Sequence, residues 1–433
     1  MLGLERVLDK YEAPRLDANP NGFITAMKFT GYINVDTLKR AIHSLGERYP
    51  VVRAHIRSEN GTHTMCVTPK SVPILTVLDM DNSKRWPDQL AQLAEESADA
   101  HSSLWEFYLV TRDGNSGYVA FRTNHAVADG RHIFNGIWPS LWELYSCLAE
   151  GATPPPLDSV PSLPRSEQEL LMERRGMDVL PVPDYTITEY LKNDRDDGAS
   201  VEEGQNLAES VQLGTSETNK IIATAKKFQT SVHGLMCGAL LTEIRGCDQR
   251  VGLVPMVCMG AVDLRTRTRP PIEPTEVTNF VYSYIVNLNV PNSPDPITIG
   301  REVKEQIESS IVQHRLYPPG YTLIGYQNYL GDRGVHSLLI SNPGTLRAPN
   351  VSGLEFDSEL HMMIVNSAGS ANIENPETQD DLFDVINHIP TSAIRARSGM
   401  WTNYGRLTNG LQTLGPNIDN LLLQRSVNRL LSY

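Results

Sequence analysis

The segment "TNHAVADGRH" (123–132) holds the residues of this chain whose types and spacing best suit chemistry. A strand-like stretch runs into His125, Asp129 follows four residues later, and Gly130 comes next. At neutral pH an imidazole can accept a proton and give it back, so it suits deprotonation of a hydroxyl or amine that attacks a carbonyl. The pattern therefore indicates a candidate general base; the alternative is a surface turn that happens to contain a histidine.

Asp129 has two possible roles. If the loop forms a helical turn, positions i and i+4 share a face, and the carboxylate can orient His125 as in a catalytic triad. Alternatively, the side chain turns away and pairs with a distant arginine, which holds the loop in shape. The spacing alone leaves both open.

A metal site is a further alternative, because His125, Asp129 and His132 offer three candidate ligands within a short segment. Gly130 interrupts the helix that would align them, and the sequence shows no second cluster, so we expect no metal. His132 is interpreted as a helix-start residue that lines the cleft or is exposed. The sequence lacks the G-x-S-x-G motif, so a serine hydrolase is not supported. It also lacks the nucleotide-binding motifs G-x-x-x-x-G-K-[ST] and strand-linked G-x-G-x-x-G.

A second informative stretch is "GAVDLRTRTRPPIEPTEVTNF" (260–280). Arg265, Arg267 and Arg269 alternate, so on a strand they share one face, and we interpret the latter two as a solvated edge. Arg265 closes the apolar-flanked "VDLR", and a buried arginine needs a carboxylate partner. We select Asp129 as that partner.

The elements that position these residues read as alternating strands and helices. A strand is predicted over 22–31, followed by a helix that Asn34 caps and by a strand over 51–56. The segments 104–112 and 118–124 read as a hairpin whose second strand leads directly into the histidine. A helix is predicted after Gly130, with Pro139 as a possible bend.

The second half of the chain repeats the mixture of helices and strands. Helices are predicted over 165–175 and 297–316, a helix pair over 216–245, and strands over 250–265, 279–290, 335–344 and 381–389. We expect an α/β protein of two domains, since 433 residues exceed one ordinary core. The proposed division is 1–175, a crossover linker over 176–210 that contains a polar and acidic stretch, and 211–433.

The composition excludes several classes of protein. It is 40% hydrophobic and 21% charged, which is typical of a globular chain, and the net charge of −13 opposes binding to nucleic acid or to an anionic membrane. The first residues do not resemble a signal peptide, and no apolar run is long enough to span a bilayer. Five scattered cysteines lack zinc or disulfide spacing. We expect a reduced, cytoplasmic protein that is a monomer.

With "NHAVADG" and "VDLRTRTRPPIEPTEVTNF" in hand, the chain resembles the acyltransferase superfamily of condensation domains, plant hydroxycinnamoyl-type acyltransferases and chloramphenicol acetyltransferase. The signature of that superfamily is H-H-x-x-x-D-G. Within it, "VDLR", "P-T-E-x-T-N" and the opening strand–helix–"YPVVRAHI" order resemble the phthiocerol dimycocerosyl transferase type of polyketide-associated O-acyltransferase. Asn124 replaces the first histidine of the signature, and the D-F-G-W-G element of the plant branch is absent.

The resemblance implies two chloramphenicol-acetyltransferase-like domains with mixed sheets and an active-site channel at their interface. It implies that His125 is the general base and that Asp129, the other residue of the catalytic motif, is structural and pairs with Arg265, with Gly130 supporting the loop. Asn279, and the pair Ser341 and Asn342, resemble polar positions near the channel, with oxyanion binding as one role and turn chemistry at strand ends as the alternative.

The function implied is transfer of an acyl group from a coenzyme A or acyl carrier protein thioester to an alcohol of a secondary metabolite or lipid. The thioester is a co-substrate, and no tightly bound cofactor is expected. An acyl carrier protein is a candidate partner. The alternatives are a condensation-like member that forms amides, isomerises a product or only binds a carrier, and a metal-dependent hydrolase.

Overall fold

The structure is a computed structural model of the chain, and its helices and strands divide into two compact units. It describes residues 3–9, 12–13, 16, 22–80, 93, 99–112, 114–157, 161–173, 207–248, 251–276, 278–313, 316, 337–346, 349–364, 395–403, 406–414 and 421–433. The first unit comprises Met1–Gly176, Arg265–Phe280 and Thr345–Ser370. The second comprises Met177–Leu264, Val281–Gly344 and Ala371–Tyr433.

The first unit contains two sheets and the helices that follow their strands. Its strands are β1 (Leu4–Val7), β2 (Phe23–Thr30), β3 (His55–Glu59), β4 (Thr62–Val67), β5 (Ile74–Asp79), β6 (Trp105–Arg112), β7 (Ser116–Thr123) and β12 (Glu355–Ile364). Its helices are α1 (Val35–Arg48), α2 (Gly130–His132), a π turn (Ile133–Ile137), α3 (Trp138–Ala149) and α4 (Glu167–Glu173). β1, β4 and β3 form a small antiparallel sheet.

The larger sheet of the first unit has the order β12-β2-β7-β6-β5 and is mixed, since β5 runs parallel to β6 and the other pairs are antiparallel. Alternation along the strands places Trp105, Phe107 and Phe121 on one face, where they contact each other. Trp138 of α3 packs on Phe121 with ring centroids 4.6 Å apart. This aromatic layer is fully buried, and it holds the end of β7 in place directly before the histidine loop.

The second unit is built around a six-stranded mixed sheet of order β10-β9-β11-β13-β14-β8. Its strands are β8 (Leu207–Gln212), β9 (Val254–Asp263), β10 (Val281–Val290), β11 (Leu338–Leu346), β13 (Arg395–Asn403) and β14 (Arg406–Leu414). Its helices are α5 (Thr215–Lys227), α6 (Val232–Cys247), α7 (Pro296–Val312) and α8 (Leu422–Leu431). Gly234 and Gly238 bring α6 close to α7, since a Cβ at Gly238 would lie 2.1 Å from the Pro296 carbonyl oxygen.

The predicted α/β class with mixed sheets is confirmed, and so are most of the predicted elements. Two local predictions are wrong. Residues 50–53 form a 3₁₀ turn (Pro50–Arg53) before β3, because Pro50 fixes φ and lacks the N–H that a strand would use. Arg265–Arg267 is also a 3₁₀ turn, where the Arg265 carbonyl accepts hydrogen bonds from the Ile272 N–H and the Thr268 hydroxyl, so the arginines do not alternate on a strand.

The domain prediction differs in detail from the two units. The first unit ends its N-terminal part at Gly176, but it also includes Arg265–Phe280 and Thr345–Ser370, which the prediction assigned to the C-terminal domain. The strand predicted over 381–389 and most of the linker predicted over 176–210 lie outside the described residues. The predicted interface channel stays a prediction. In the part of the chain that the structure describes, no helix is long and apolar enough to cross a membrane.

Candidate active site

The histidine loop (Asn124–Asp129) begins where β7 ends, and its shape comes from local hydrogen bonds. The Asn124 side-chain oxygen accepts from the Ala126 N–H at 2.8 Å, and the Asn124 carbonyl accepts from the Val127 N–H at 3.1 Å. These bonds form a tight turn with His125 at its tip. His125 is partly exposed although Asn124 and Ala126 are buried. The Phe23 ring packs edge-on against its imidazole, with the ring centroids 5.1 Å apart.

The hydrogen bonds of the His125 ring determine which nitrogen can act as a base. Its Nδ1 lies 2.9 Å from the Ala128 carbonyl oxygen and 3.0 Å from Nδ2 of Asn279. A carbonyl only accepts, so the proton is assigned to Nδ1, and the Asn279 amide donates to its shorter contact, the His125 carbonyl oxygen at 2.7 Å. In this tautomer Nε2 carries the lone pair that accepts a proton.

Asp129 is fully buried and binds three donors. Its Oδ2 accepts from Nη2 of Arg265 at 2.7 Å and from the Phe280 N–H at 2.8 Å, while its Oδ1 accepts from the His132 N–H at 2.8 Å. The last of these bonds caps the helical segment that begins at Gly130. The structure therefore contains the predicted pairing with Arg265, which is itself 1% exposed, and it supports the second of the two roles considered for Asp129.

The charge of Asp129 is retained despite burial. Burial alone raises the pKa of the carboxyl group, but the charge of Arg265 and the backbone N–H donors of His132 and Phe280 outweigh burial and lower the pKa below its ordinary value. Asp129 is therefore an anion at neutral pH. Its attraction to Arg265 fixes the loop that carries His125.

His132 is the second histidine of the motif, and its predicted position at the cleft or on the surface is wrong. The side chain is completely buried beside Trp105, and its Nδ1 donates to the Thr278 carbonyl oxygen at 3.1 Å. Burial lowers its pKa to about 4, which outweighs the opposing effect of the Asp129 charge. His132 is therefore neutral at pH 7 and is inaccessible to a substrate.

Asn279 lies against His125 and is 2% exposed. Its amide nitrogen contacts both the backbone oxygen and the ring of His125. The bond from the amide to the His125 carbonyl can position His125. The predicted oxyanion role of Asn279 stays a prediction. The sequence motif placed Asn279 near the site, but it did not indicate this contact.

The remaining predicted site residues lie in different places. Gly130 begins α2 directly after Asp129. Ser341 and Asn342 lie in β11, and the Asn342 side chain accepts from the Gly344 N–H at 3.0 Å, which is the turn chemistry considered as an alternative. Their channel role stays a prediction.

Residues that the sequence reasoning missed are the Ala128 carbonyl, Phe23 and Thr278. The first is a backbone group, and the other two are brought to the loop by tertiary contacts. None of them has a sequence signal.

The three candidate metal ligands of the motif have other partners. His125 bonds to Ala128, Asp129 to Arg265, and His132 to Thr278. Within the described ranges, no three His, Cys, Asp or Glu side chains are grouped as a metal site. The expectation of no metal stays a prediction.

Comparison with known proteins agrees with the motif-based resemblance. Residues 202–407 match the family described as phthiocerol/phthiodiolone dimycocerosyl transferase C-terminus. The phthiocerol/phthiodiolone dimycocerosyl transferase of Mycobacterium leprae is 25% identical over 272 residues, which is 59% of this chain and 61% of that protein. The expected resemblance is confirmed. The match spans about three-fifths of the length of that curated relative.

Solved structures extend the similarity in fold to nearly the whole chain. Polyketide synthase associated protein 5 from Mycobacterium tuberculosis superposes with a TM-score of 0.69 at 17% identity, over 98% of this chain and 96% of that one. The first condensation domain of the CDA synthetase gives 0.65 at 13% identity, over 99% and 95%. The trichothecene 15-O-acetyltransferase of Fusarium sporotrichioides gives 0.65 at 13% identity, over 99% and 96%. The fold is therefore that of condensation domains and related acyltransferases.

The buried ion pair predicts a large effect on stability. Asp129→Ala leaves Arg265 charged and without this carboxylate in the interior, so we expect the free energy of unfolding to fall by about 3–5 kcal/mol. Urea denaturation followed by circular dichroism measures it. A suitable control is Glu5→Ala, which removes an exposed carboxylate bound to Arg57 and should leave the midpoint unchanged. Equal midpoints for Asp129→Ala and wild type would contradict the structural role.

Burial of neutral His132 predicts a pH dependence of stability. Its pKa is about 4 in the folded chain and 6.5 as the ordinary value, so between these pH values the unfolded chain binds one more proton. This contribution is complete above about pH 6.5 and is lost as the pH falls towards 4. It amounts to about 3 kcal/mol in total, since each pKa unit corresponds to about 1.4 kcal/mol.

The test compares wild type with His132→Gln, which cannot titrate. Unfolding free energies measured between pH 4 and 7 should converge as the pH falls, because only the wild type loses the His132 contribution. Two parallel curves would show that His132 is not buried in its neutral form.

Proposed function

We propose that this protein is an acyltransferase that moves an acyl group from a thioester to an alcohol, with His125 as the general base. The observation that supports this most is the hydrogen bond from Nδ1 of His125 to the Ala128 carbonyl, which leaves the lone pair on Nε2. The His125 ring is partly exposed, so a substrate can reach it, whereas the His132 ring is completely buried. The loop around His125 is held by a buried ion pair, so the base is preorganised.

The proposed reaction involves two proton transfers. Nε2 of His125 removes the hydroxyl proton of the acceptor as its oxygen attacks the thioester carbonyl carbon. The tetrahedral intermediate then expels the thiol sulfur, and the imidazolium returns the proton to the departing thiolate. An ester and a free thiol result, and no covalent bond to the protein forms.

The other site residues act on the base. Positive charge that develops on the imidazole during the first step is accommodated by the Ala128 carbonyl, which accepts from Nδ1–H in both charge states. Asn279 donates to the His125 carbonyl and limits rotation of the loop. Asp129 holds the loop in place, because its oxygens bind Arg265, Phe280 and His132.

The nature of the substrates rests on the relatives. The names of the Mycobacterium leprae and Fusarium sporotrichioides proteins describe a dimycocerosyl transferase and an O-acetyltransferase, which supports transfer of an acyl group to a hydroxyl. A similar fold is that of a polyketide synthase associated protein, which supports an acyl carrier protein as donor besides coenzyme A. The expected monomeric state and cytoplasmic location stay predictions.

The main alternative keeps the same base and changes the acceptor. An amine in place of the alcohol gives an amide, as the similar fold of a condensation domain suggests. Product analysis decides between them. The protein is incubated with acetyl-CoA or octanoyl-CoA and matched panels of alcohols and amines, thiol release is followed with a disulfide reagent, and the products are identified by mass spectrometry. Esters from the alcohol panel support the proposal, and amides alone support the alternative.

Removal of the base predicts a loss of turnover with the fold intact. His125→Ala should lower kcat by roughly 10²–10⁴-fold, because general base catalysis contributes about that much. Thiol release with the best thioester and alcohol pair measures it, and circular dichroism checks the fold.

The matched control is His101→Ala. His101 is another histidine of the first unit whose Nδ1 lies 3.0 Å from a backbone carbonyl, that of Ile56, but it is not part of the histidine loop. It should keep the activity of the wild type. Near-normal turnover of His125→Ala would exclude His125 as the base.

A further inference from the structure

A second buried carboxylate, Glu12, is connected to the candidate active site. Its side chain is completely inaccessible to solvent, and both carboxylate oxygens bind the guanidinium of Arg6, at 2.6 and 2.7 Å. The Asp9 N–H donates to Oε2 at 3.0 Å. The fourth donor comes from far along the chain, since the Thr278 hydroxyl donates to Oε1 at 2.8 Å. Glu12 therefore links the N-terminal segment to the residue that precedes Asn279.

Thr278, Asn279 and Phe280 each bond to a different residue of the histidine motif. The Thr278 carbonyl accepts from Nδ1 of His132 at 3.1 Å. The Asn279 amide donates to the His125 carbonyl at 2.7 Å, and the Phe280 N–H donates to Asp129 at 2.8 Å. We call these three residues the 278–280 segment. Its position determines where Asn279 meets His125.

The Thr278 hydroxyl adds a side-chain hydrogen bond to the backbone bonds that hold the 278–280 segment. The bonds to His132 and Asp129 are made by backbone groups of the segment, whereas the hydroxyl bond holds its side-chain face. A hydrogen bond to an ionised carboxylate is short and stronger than one between neutral groups. The bidentate Arg6 in turn fixes the plane of that carboxylate.

We propose that Glu12, oriented by Arg6, is a positioning residue for His125 and acts through Thr278 and Asn279. This inference rests on the proposed function, because positioning matters only if His125 is the base. Loss of the Thr278–Glu12 bond displaces Asn279 and allows the His125 ring to leave the orientation in which Nδ1–H meets the Ala128 carbonyl. A displacement of about 1 Å at a reacting group can lower a rate by about 100-fold.

The test uses two variants, one that removes the donor of the bond and one that weakens its acceptor. Thr278→Val keeps the shape of the side chain and removes the hydroxyl donor, and Glu12→Gln keeps an acceptor but weakens the contact with Arg6. Each should lower kcat by roughly 10- to 100-fold with KM changed less than about threefold. Thr278→Ser restores the donor and should recover most of the kcat lost in Thr278→Val.

Matched controls separate positioning from general destabilisation. Glu5→Gln changes another N-terminal carboxylate that binds an arginine in a bidentate manner, Arg57, but Glu5 is exposed and lies in β1. It should leave kcat unchanged. If Glu12→Gln fails to fold, Thr278→Val with its serine counterpart decides the result.

A spectroscopic readout tests the orientation without any substrate. In protein labelled with ¹⁵N-histidine, the ring nitrogens of His125 are assigned by their loss in His125→Ala. We expect a protonated Nδ1 and an unprotonated Nε2 in wild type and in Glu5→Gln. In Thr278→Val the two resonances should move towards the average of the two tautomers, because the Ala128 carbonyl no longer holds the proton on Nδ1.

The outcomes distinguish the two proposals. If His125→Ala keeps its activity, the proposed function fails whatever the tautomer shows. If His125→Ala loses activity but Thr278→Val keeps both kcat and the ¹⁵N pattern of wild type, the positioning role of Glu12 is wrong. Loss of thermal stability in Thr278→Val with unchanged kcat and tautomer would also overturn it, because that result describes a purely structural contact.

Discussion

The candidate site depends on the buried ion pair between Asp129 and Arg265. An isolated charge in the interior is strongly unfavourable, so it is stable only where ionic and hydrogen-bonding partners surround it. The three partners of Asp129 are Arg265, the Phe280 N–H and the His132 N–H. Because they come from two ends of one segment and from the start of a helix, satisfying this one charge brings the segment and the histidine loop into a single arrangement.

The two histidines of the motif, His125 and His132, differ in solvent access because their local packing differs. His132 is fully buried and neutral, and its ring holds the Thr278 carbonyl. His125, seven residues earlier, lies at the tip of a turn and is partly exposed, with its Nδ1 bound to a carbonyl. The residue type is the same in both cases. Whether an imidazole can exchange protons is decided by solvent access and by the partner of each nitrogen.

Sequence reasoning predicted the elements whose signals are local, and the motif residues themselves. The apolar spacing of α1 with its Asn34 cap, and the hairpin of β6 and β7, are present as expected. The 3₁₀ turn at Arg265–Arg267 was missed because alternating arginines also fit a strand, and the carbonyl bonds that close the turn come from later residues. The bond between Glu12 and Thr278 has no sequence signature, since it joins residues far apart in the chain.

Asn124 shows why a departure from the H-H-x-x-x-D-G signature is compatible with an intact site. The residue is 5% exposed, and its side-chain oxygen accepts from the Ala126 N–H, which closes the turn around His125. Asparagine is well suited to this, since its amide readily bonds to backbone two residues ahead. The position before His125 therefore holds a short acceptor that shapes the backbone. Replacement of His125 by asparagine, in contrast, would remove the imidazole that accepts the proton in the proposed reaction.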